Sequence, residues 1–376
     1  MRVLVTGGAG FVGNYVVREL LRAKHSVTVL DNLDPQVHAA SGNGAQVPDG
    51  AVFYRGDLND PEILLKVLKH ADAVAHLGAV VGVGQSMYEV SYYTHNNVNA
   101  TGRLYETIIK NKLAVKKIVV ASSMSAYGEG LYRCTKCRKT IRGGMRSEAK
   151  FKKGSWELDC PVCKKPMTPV PIPETEPFAV SSIYALTKRD TEEIALMLGA
   201  AHNIPSVALR FFNIYGPGQS LSNPYTGVAA IFFSRVLNLK PPVVYEDGLQ
   251  SRDFVHASDV ARAVRLALES DVKGQVFNVG GGERVTIREI ADTVLKVCGK
   301  EGAIKPQVTG QYRKGDIRHC FADTAKIKKA LGWKTAVLLN DGFQELYYWA
   351  QKTSSVDRFD QASQELEHFN LLAKAK

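Results

Sequence analysis

The chain has 376 residues, 45% of them hydrophobic and 23% charged, and a formal net charge of +11. Those values are ordinary for a soluble globular protein, and the length suits one large domain or two lobes sharing a core. No uninterrupted apolar run approaches the roughly 18 residues of a membrane span.

Met1 and Arg2 lead straight into Val3-Leu4-Val5, which reads as a buried strand, so no cleavable leader is expected and the reading is cytoplasmic. The first third alternates strand and helix. Strands are predicted at 3–6, 26–31, 52–55, 73–77 and 117–121, and helices at 11–23, 61–69 and 97–111. Val/Ile/Leu-rich strands separated by helices imply an α/β fold, a doubly wound parallel sheet of Rossmann type covered on both faces. The alternation breaks at Gly128. The stretch to Phe178, rich in Lys, Arg, Gly, Cys and Pro, reads as an insertion that ends in the stiff run Pro169-Val-Pro171-Ile-Pro173. A helix over 183–202 and a strand over 206–212 follow. Beyond Gly216 the pattern is less regular, and a helix over 258–269 is expected to return to the main domain. Residues 359–372 read as a polar terminal helix that either frays or docks on a neighbour. The predicted division is therefore 1–129 and 174–215 for the nucleotide-binding domain, 130–173 for the insertion, 216–354 for a smaller substrate lobe and 355–376 for the tail.

Thr6-Gly7-Gly8-Ala9-Gly10-Phe11-Val12-Gly13 joins the first strand to the first helix. Glycines at 7, 10 and 13 let the backbone turn sharply and approach a pyrophosphate, while the helix N-terminus offers unpaired N–H groups and partial positive charge. Asp31 ends the second strand 18 positions after Gly13. Its carboxylate can accept hydrogen bonds from ribose hydroxyls and would repel a 2′-phosphate, which favours NAD over NADP. Asp57 is open to two readings, contact with the adenine or a helix cap before Pro61.

Tyr184 and Lys188 are four apart and share one helical face. A phenol of pKa near 10 is a poor base at neutral pH. A lysine ammonium one turn away, together with a positive nicotinamide, would lower that value. Ser123 ends the fifth strand and could bond the same substrate oxygen.

These features together resemble the extended short-chain dehydrogenase/reductase family, in particular its nucleotide-sugar 4-epimerases. The resemblance covers nearly the whole chain outside 130–175. It rests on Thr6–Gly13, Asp31, Gly56-Asp57-Leu58, His76-Leu77-Gly78-Ala79, Val83-Gly84-Gln85-Ser86, Asn97-Val98, Ser122–Gly128, Tyr184–Lys188, Leu209–Asn213 and Ser251–His256. It implies catalytic roles for Ser123, Tyr184 and Lys188. It implies NAD contacts for the glycine loop including Phe11 and Val12, for Asp31, Asn32, Asp57, Leu58, Leu77, Gly78, Ala79 and Asn97, and for Tyr184 and Lys188. Val83, Ser86, Ser123, Ser125, Asn213, Arg252, Arg313 and Asp316 are implied to meet the nucleotide-sugar, the two arginines gripping its diphosphate. Family members that dehydrate carry an Asp-Glu pair after the residue matching Ser123; here Met124 and Ser125 stand there, so dehydration is disfavoured. Transient oxidation at sugar carbon 4 and return of the hydride to the other face is the implied reaction. A one-way reduction or a decarboxylation of the same substrate class is the alternative. Cys320 stands where strict galactose/glucose enzymes place a bulky Tyr. It is open to two readings, a roomier sugar pocket or a packing cysteine. A homodimer packed through the helices at 97–111 and 183–202 is also implied.

Between Leu131 and Pro171, eleven Lys and Arg face three Asp and Glu, which accounts for +8 of the net charge. This patch is open to attraction of an anionic partner or to a solvated surface. Cys134-Thr-Lys-Cys137 and Cys160-Pro-Val-Cys163 lie 22 residues apart within it. Two such knuckles supply four thiolates for a tetrahedral, structural Zn²⁺. An iron site or a set of unmetallated thiols is the alternative. Zinc would replace the core that so polar an insertion cannot build. Because the insertion separates Tyr127 from Tyr184 by 57 positions, it is expected beside the active site, as a lid or wall over the sugar or as a source of basic groups near the diphosphate. A zinc-ribbon insertion followed by segments like Ser182–Glu193 and Ser222–Ala230 resembles bacterial dTDP-L-rhamnose 4-epimerases. A non-catalytic protein binding nucleic acid through the ribbon is the reading from another class. The intact Ser123, Tyr184 and Lys188 argue against it, as does the lack of interleaved aromatic residues.

Overall fold

A computed structural model of the chain describes residues 1–38, 47–353 and 355–375. Seven strands build one parallel sheet: β1 (Arg2–Thr6), β2 (Ser26–Asp31), β3 (Val52–Arg55), β4 (Ala73–His76), β5 (Lys117–Ser123), β6 (Ser206–Phe211) and β7 (Gln275–Val279). Their order is β7-β6-β5-β4-β1-β2-β3. The order reverses between β1 and β4, and in open α/β sheets ligands bind at the carboxyl ends of the strands at such a switch point. Register brings those ends together: Thr6 sits beside Leu30 on one side and His76 on the other.

The helices bury apolar stripes on both faces. Helix Phe11–Arg22 turns Val16, Val17 and Leu20 inward against the sheet and the helix Ala257–Glu269. Each of those side chains contributes roughly 2 kcal/mol by leaving water. The opposite face holds Leu64, Leu104, Ile108 and Ala195 from three other helices. Glycine is required at two points of the first turn. Gly7 adopts φ +68°, and a Cβ there would lie 2.7 Å from the Gly78 Cα; a Cβ on Gly13 would lie 2.0 Å from the Gly7 carbonyl oxygen.

The predicted strand at 117–121 continues to Ser123, and β7 was not anticipated from the sequence. Its run Gln275-Val-Phe-Asn-Val carries two polar residues, and the sequence pattern assigns it to no element. It becomes a strand because β6 offers a partner edge, and Asn278 is buried with its amide donating to the Ile172 and Asp323 carbonyls. The smaller lobe packs around Phe232, Phe233, Ile290, Val294 and Phe343.

The insertion forms its own three-stranded antiparallel sheet, Thr140–Arg142, Leu131–Cys134 and Met167–Val170, with a short helix Glu148–Lys152. The terminal segment packs on its own chain. Helix Phe359–His368 lies on the substrate lobe, and strand Leu372–Lys374 pairs with Gln311–Arg313. Among the described residues, no helix is long and apolar enough to cross a membrane.

Candidate active site and metal centre

A single cavity of about 940 Å³ runs along the carboxyl ends of the strands and into the substrate lobe. Its first stretch is the glycine loop. Helix Phe11–Arg22 starts from Gly10 with no side-chain cap, so its first-turn amides face the cavity. Asp31 is buried at the end of β2. Its Oδ2 accepts from the Ala9 amide at 3.1 Å and its Oδ1 from the Leu33 amide at 2.9 Å. His38 Nε2 lies 3.5 Å from the same carboxylate, a neighbour the sequence reading did not single out. Asp57 lines the cavity and accepts from the Asn32 amide at 3.1 Å. The cap before Pro61 is Asp60, which accepts from the amides of Glu62 and Ile63. Leu58, Leu77, Gly78 and Ala79 complete this stretch. An uncapped helix start, glycines that open the backbone, and a buried carboxylate at the second strand suit the pyrophosphate and ribose of a dinucleotide.

The middle of the cavity holds Ser123, Tyr184 and Lys188. Helix Ile183–Ala201 is capped by Ser182, whose Oγ accepts from the Ala185 amide at 3.1 Å, and this presents Tyr184 in the first turn. Burial pushes the Tyr184 phenol up to about 12, and a hydrogen bond with Ser123 pulls the other way. Ser123 Oγ also accepts from Ser125 Oγ at 2.9 Å. Burial lowers Lys188 to about 8, and its ammonium donates to the Ala121 carbonyl at 3.1 Å. Desolvation is thus the largest influence on the phenol in this arrangement, and the lysine donates to the backbone of β5.

Two residues expected at the ligands, Ser86 and Asn97, do not line the cavity. Ser86 is fully buried, donates to the Val83 carbonyl at 2.7 Å and accepts from the Tyr184 amide at 3.0 Å. Asn97 accepts from the Val80 amide at 2.8 Å and donates to Thr187 Oγ1 at 3.0 Å. Both tie the loop after β4 to helix Ile183–Ala201. Cys320 likewise packs among Met124, Leu131, Ile172 and Phe212 and does not line the cavity. Packing is therefore the one of its two readings that the structure supports.

Val83, Ser125, Asn213, Arg252, Arg313 and Asp316 border the rest. Asn213 Oδ1, Gln219 Oε1 and Gln250 Oε1 are buried there without a hydrogen-bond partner among the described residues. Asp316 lies between the two arginines, 3.2 Å from Arg252 and 3.0 Å from Arg313. Its neighbours Arg313, Arg252 and Arg146 hold the carboxyl below its usual range against the opposing effect of burial.

No residue of 130–173 borders the cavity, so the insertion forms no lid over it. Its basic group near the arginines acts from behind: Arg146 donates to the Asp316 carbonyl at 3.0 Å and pairs with Glu246 at 2.8 Å. Arg318, also buried, joins Glu246 and Asp247 to Glu157 of the insertion. At the far end of the module, the sulfur atoms of Cys134, Cys137, Cys160 and Cys163 lie within 4.8 Å of one another. Cys134 and Cys163 are 3.3 Å apart, Cys137 and Cys160 3.7 Å. Zn–S bonds of about 2.3 Å in a tetrahedron place sulfurs about 3.8 Å apart, so the four thiols fit such an ion.

Residues 3–142 and 163–280 match the NAD dependent epimerase/dehydratase family. The chain belongs to that family. The break in the match, residues 143–162, falls within the insertion and takes in Cys160. Among its relatives in this family, the chain is 35% identical to a dTDP-L-rhamnose 4-epimerase of Burkholderia thailandensis, over 93% of this chain and 94% of the relative. It resembles the UDP-glucose 4-epimerase of Thermotoga maritima, solved with UDP-glucose, with TM-score 0.75, 28% identity and coverage of 94% and 99% of the two chains. The Thermus thermophilus UDP-glucose 4-epimerase, solved with NAD, gives TM-score 0.72 at 30% identity over 93% and 99%.

Proposed function

We propose that this family member is an NAD-dependent nucleotide-sugar 4-epimerase acting on a dTDP- or UDP-hexose, with dTDP-L-rhamnose a candidate. The observation that carries the reading is one continuous cavity. It joins an uncapped glycine-loop helix to the Ser123–Tyr184–Lys188 set, and that set to Asn213, Arg252 and Arg313.

Gly7, Gly10, Phe11, Val12 and Gly13 would hold the NAD pyrophosphate, Asp31 the ribose and Asp57 with Asn32 the adenine end. NAD held there would supply the acceptor, and then the donor, of a hydride at sugar carbon 4. Tyr184 takes the carbon-4 hydroxyl proton as the carbonyl forms and returns it as the carbonyl is reduced. Ser123 hydrogen-bonds the same oxygen and keeps the phenol oriented. Lys188 supplies positive charge one turn away, favouring the phenolate that the proton transfer requires. Arg252 and Arg313 anchor the diphosphate, so the sugar can turn while the nucleotide stays. Met124 and Ser125 offer no acid–base pair for loss of water. The relatives named for epimerisation support this reading over reduction or decarboxylation.

The four cysteines hold a structural Zn²⁺ in this proposal and so form a zinc-ribbon-like module. Thiolates of that kind persist in a reducing compartment, which suits the cytoplasm. Two copies pack through helices Ala100–Lys110 and Ile183–Ala201, the second of which exposes 67% of Met197. Incubation with a panel of UDP-, dTDP- and GDP-sugars, followed by NMR of the products, tests the function. Inversion at carbon 4 without net consumption of NAD is expected. Loss of CO₂, or stoichiometric NADH consumption, would overturn it.

A further inference from the structure

The terminal helix Phe359–His368 is built into the cavity. Phe359, Ser363 and Leu366 line the same space as Tyr184 and Arg252. Their placement along it differs. The Arg313 guanidinium lies 5.6 Å over the Tyr245 ring, and Phe359 follows at 6.2 Å from Tyr245. Tyr245 thus groups Phe359 with Arg313. Leu366, about two turns further along the same helical face, reaches the loop after β4. Its Cδ2 lies 2.9 Å from the place a Cβ on Gly84 would take, next to the cavity residue Val83.

The segment is fastened at several points. Asp357, nearly fully buried, pairs with Arg235 at 3.3 Å and with Lys240 at 3.0 Å. Glu365 accepts from Tyr88 at 3.1 Å and from Tyr225. Phe369 stacks on Tyr88 at 4.3 Å, and Leu372 pairs with Arg313 itself. Charged pairs with one member buried, a stacked ring and strand pairing fix the helix against the cleft.

Resting on the proposed nucleotide-sugar reading, we infer that residues 355–375 are a specificity wall, in which Phe359 and Ser363 bound the nucleotide and Leu366 bounds the sugar. An aromatic ring gives a base an apolar face to rest on, and its loss weakens binding whichever sugar is attached. A leucine at the sugar end excludes bulk, so its truncation changes the choice among hexoses and leaves the free nucleotide alone.

Calorimetric titration with dTDP, UDP and their hexose conjugates tests this on four proteins: wild type, Phe359→Ala, Leu366→Ala and a chain ending at Thr353. Melting curves accompany each. Phe359→Ala is expected to weaken free dTDP or UDP and the conjugates alike, by about tenfold. Leu366→Ala should bind free dTDP and UDP as wild type does, and shift the ratio of affinities among the hexose conjugates at least threefold. The shortened chain should show both effects. If it does not fold, the two point variants decide. Both point variants within twofold of wild type on every ligand would overturn the inference alone. A wild-type protein that binds none of the nucleotides would overturn the proposed function and this inference together.

Discussion

Phe151 of the insertion lies flat on Tyr312 of the substrate lobe, the ring centroids 4.4 Å apart and the planes 6° from parallel. The other side of Phe151 carries the Arg146 guanidinium at 4.5 Å. Arg313 follows Tyr312 directly, so this stack sets the strand that carries a proposed diphosphate ligand. The insertion thereby reaches the site through a strand it supports, without entering the cavity.

Replacing Phe151 by Ala should therefore act on substrate affinity more than on chemistry. The lost ring costs on the order of 3 kcal/mol of local packing and frees Gln311–Arg313 to shift. Steady-state kinetics should show KM for the nucleotide-sugar raised about tenfold with kcat changed less than about threefold, the pattern of lost uniform binding. An unchanged KM with a depressed kcat would refute the bracing role.

Tyr184→Phe removes the hydroxyl and keeps the ring that stands edge-on to Tyr93, 6.5 Å away. Turnover should fall by about 10²–10⁴, the usual worth of a positioned acid–base group. Affinity for the nucleotide-sugar should stay within a few-fold. Measured turnover near wild type would assign the proton transfer to another group.

Changing Cys160 and Cys163 to Ser should abolish stoichiometric zinc, measured by atomic emission on the purified protein. Without the ion, the small cluster of Tyr132, Leu158 and Met167 is too little to hold the module. Proteolysis within 131–170 should become rapid, and KM should rise as for Phe151→Ala. A folded, zinc-free variant with full activity would separate the module from the site.

His76 is buried and neutral, between Thr6 Oγ1 at 2.9 Å and Thr101 Oγ1 at 3.1 Å. Burial, with a smaller effect from the Lys188 charge, lowers it to about 3. The unfolded chain binds the proton below the ordinary histidine pKa near 6.5, and the native protein resists it down to about 3. Stability therefore falls as pH drops through that window, by about 2 kcal/mol from this group at pH 5. Urea unfolding at pH 7 and pH 5 should show a smaller pH dependence in His76→Gln than in wild type. Equal pH dependence in the two proteins would place the effect elsewhere.

Much of the site was legible because its parts are local. A glycine loop between a strand and a helix, an acid at the end of the next strand, and Tyr and Lys one helical turn apart are short-range patterns. Parallel strands end at one edge of the sheet, which places Ser123 and Asn213 at the cavity. Ser86 and Asn97 were harder to place. A motif shows that a polar residue is needed, and it does not show whether that residue faces the ligand or bonds the loop that does. Cys320 posed the same problem, since pocket and packing positions lie side by side on one chain segment.

The order of apolar, glycine and acidic residues along the first 123 positions by itself determined a parallel α/β sheet and its nucleotide loop, because helix and strand periods and the needs of a tight turn are written in neighbouring residues. The sequence also determined the two cysteine pairs. Only the tertiary structure decided that β7 joins the sheet, that the insertion braces the arginines from behind, and that the terminal helix walls the cavity. Those are contacts between residues far apart in the chain, from 68 positions for Gln275 and Val207 upward. They depend on which surfaces the fold leaves open, and no local period encodes that.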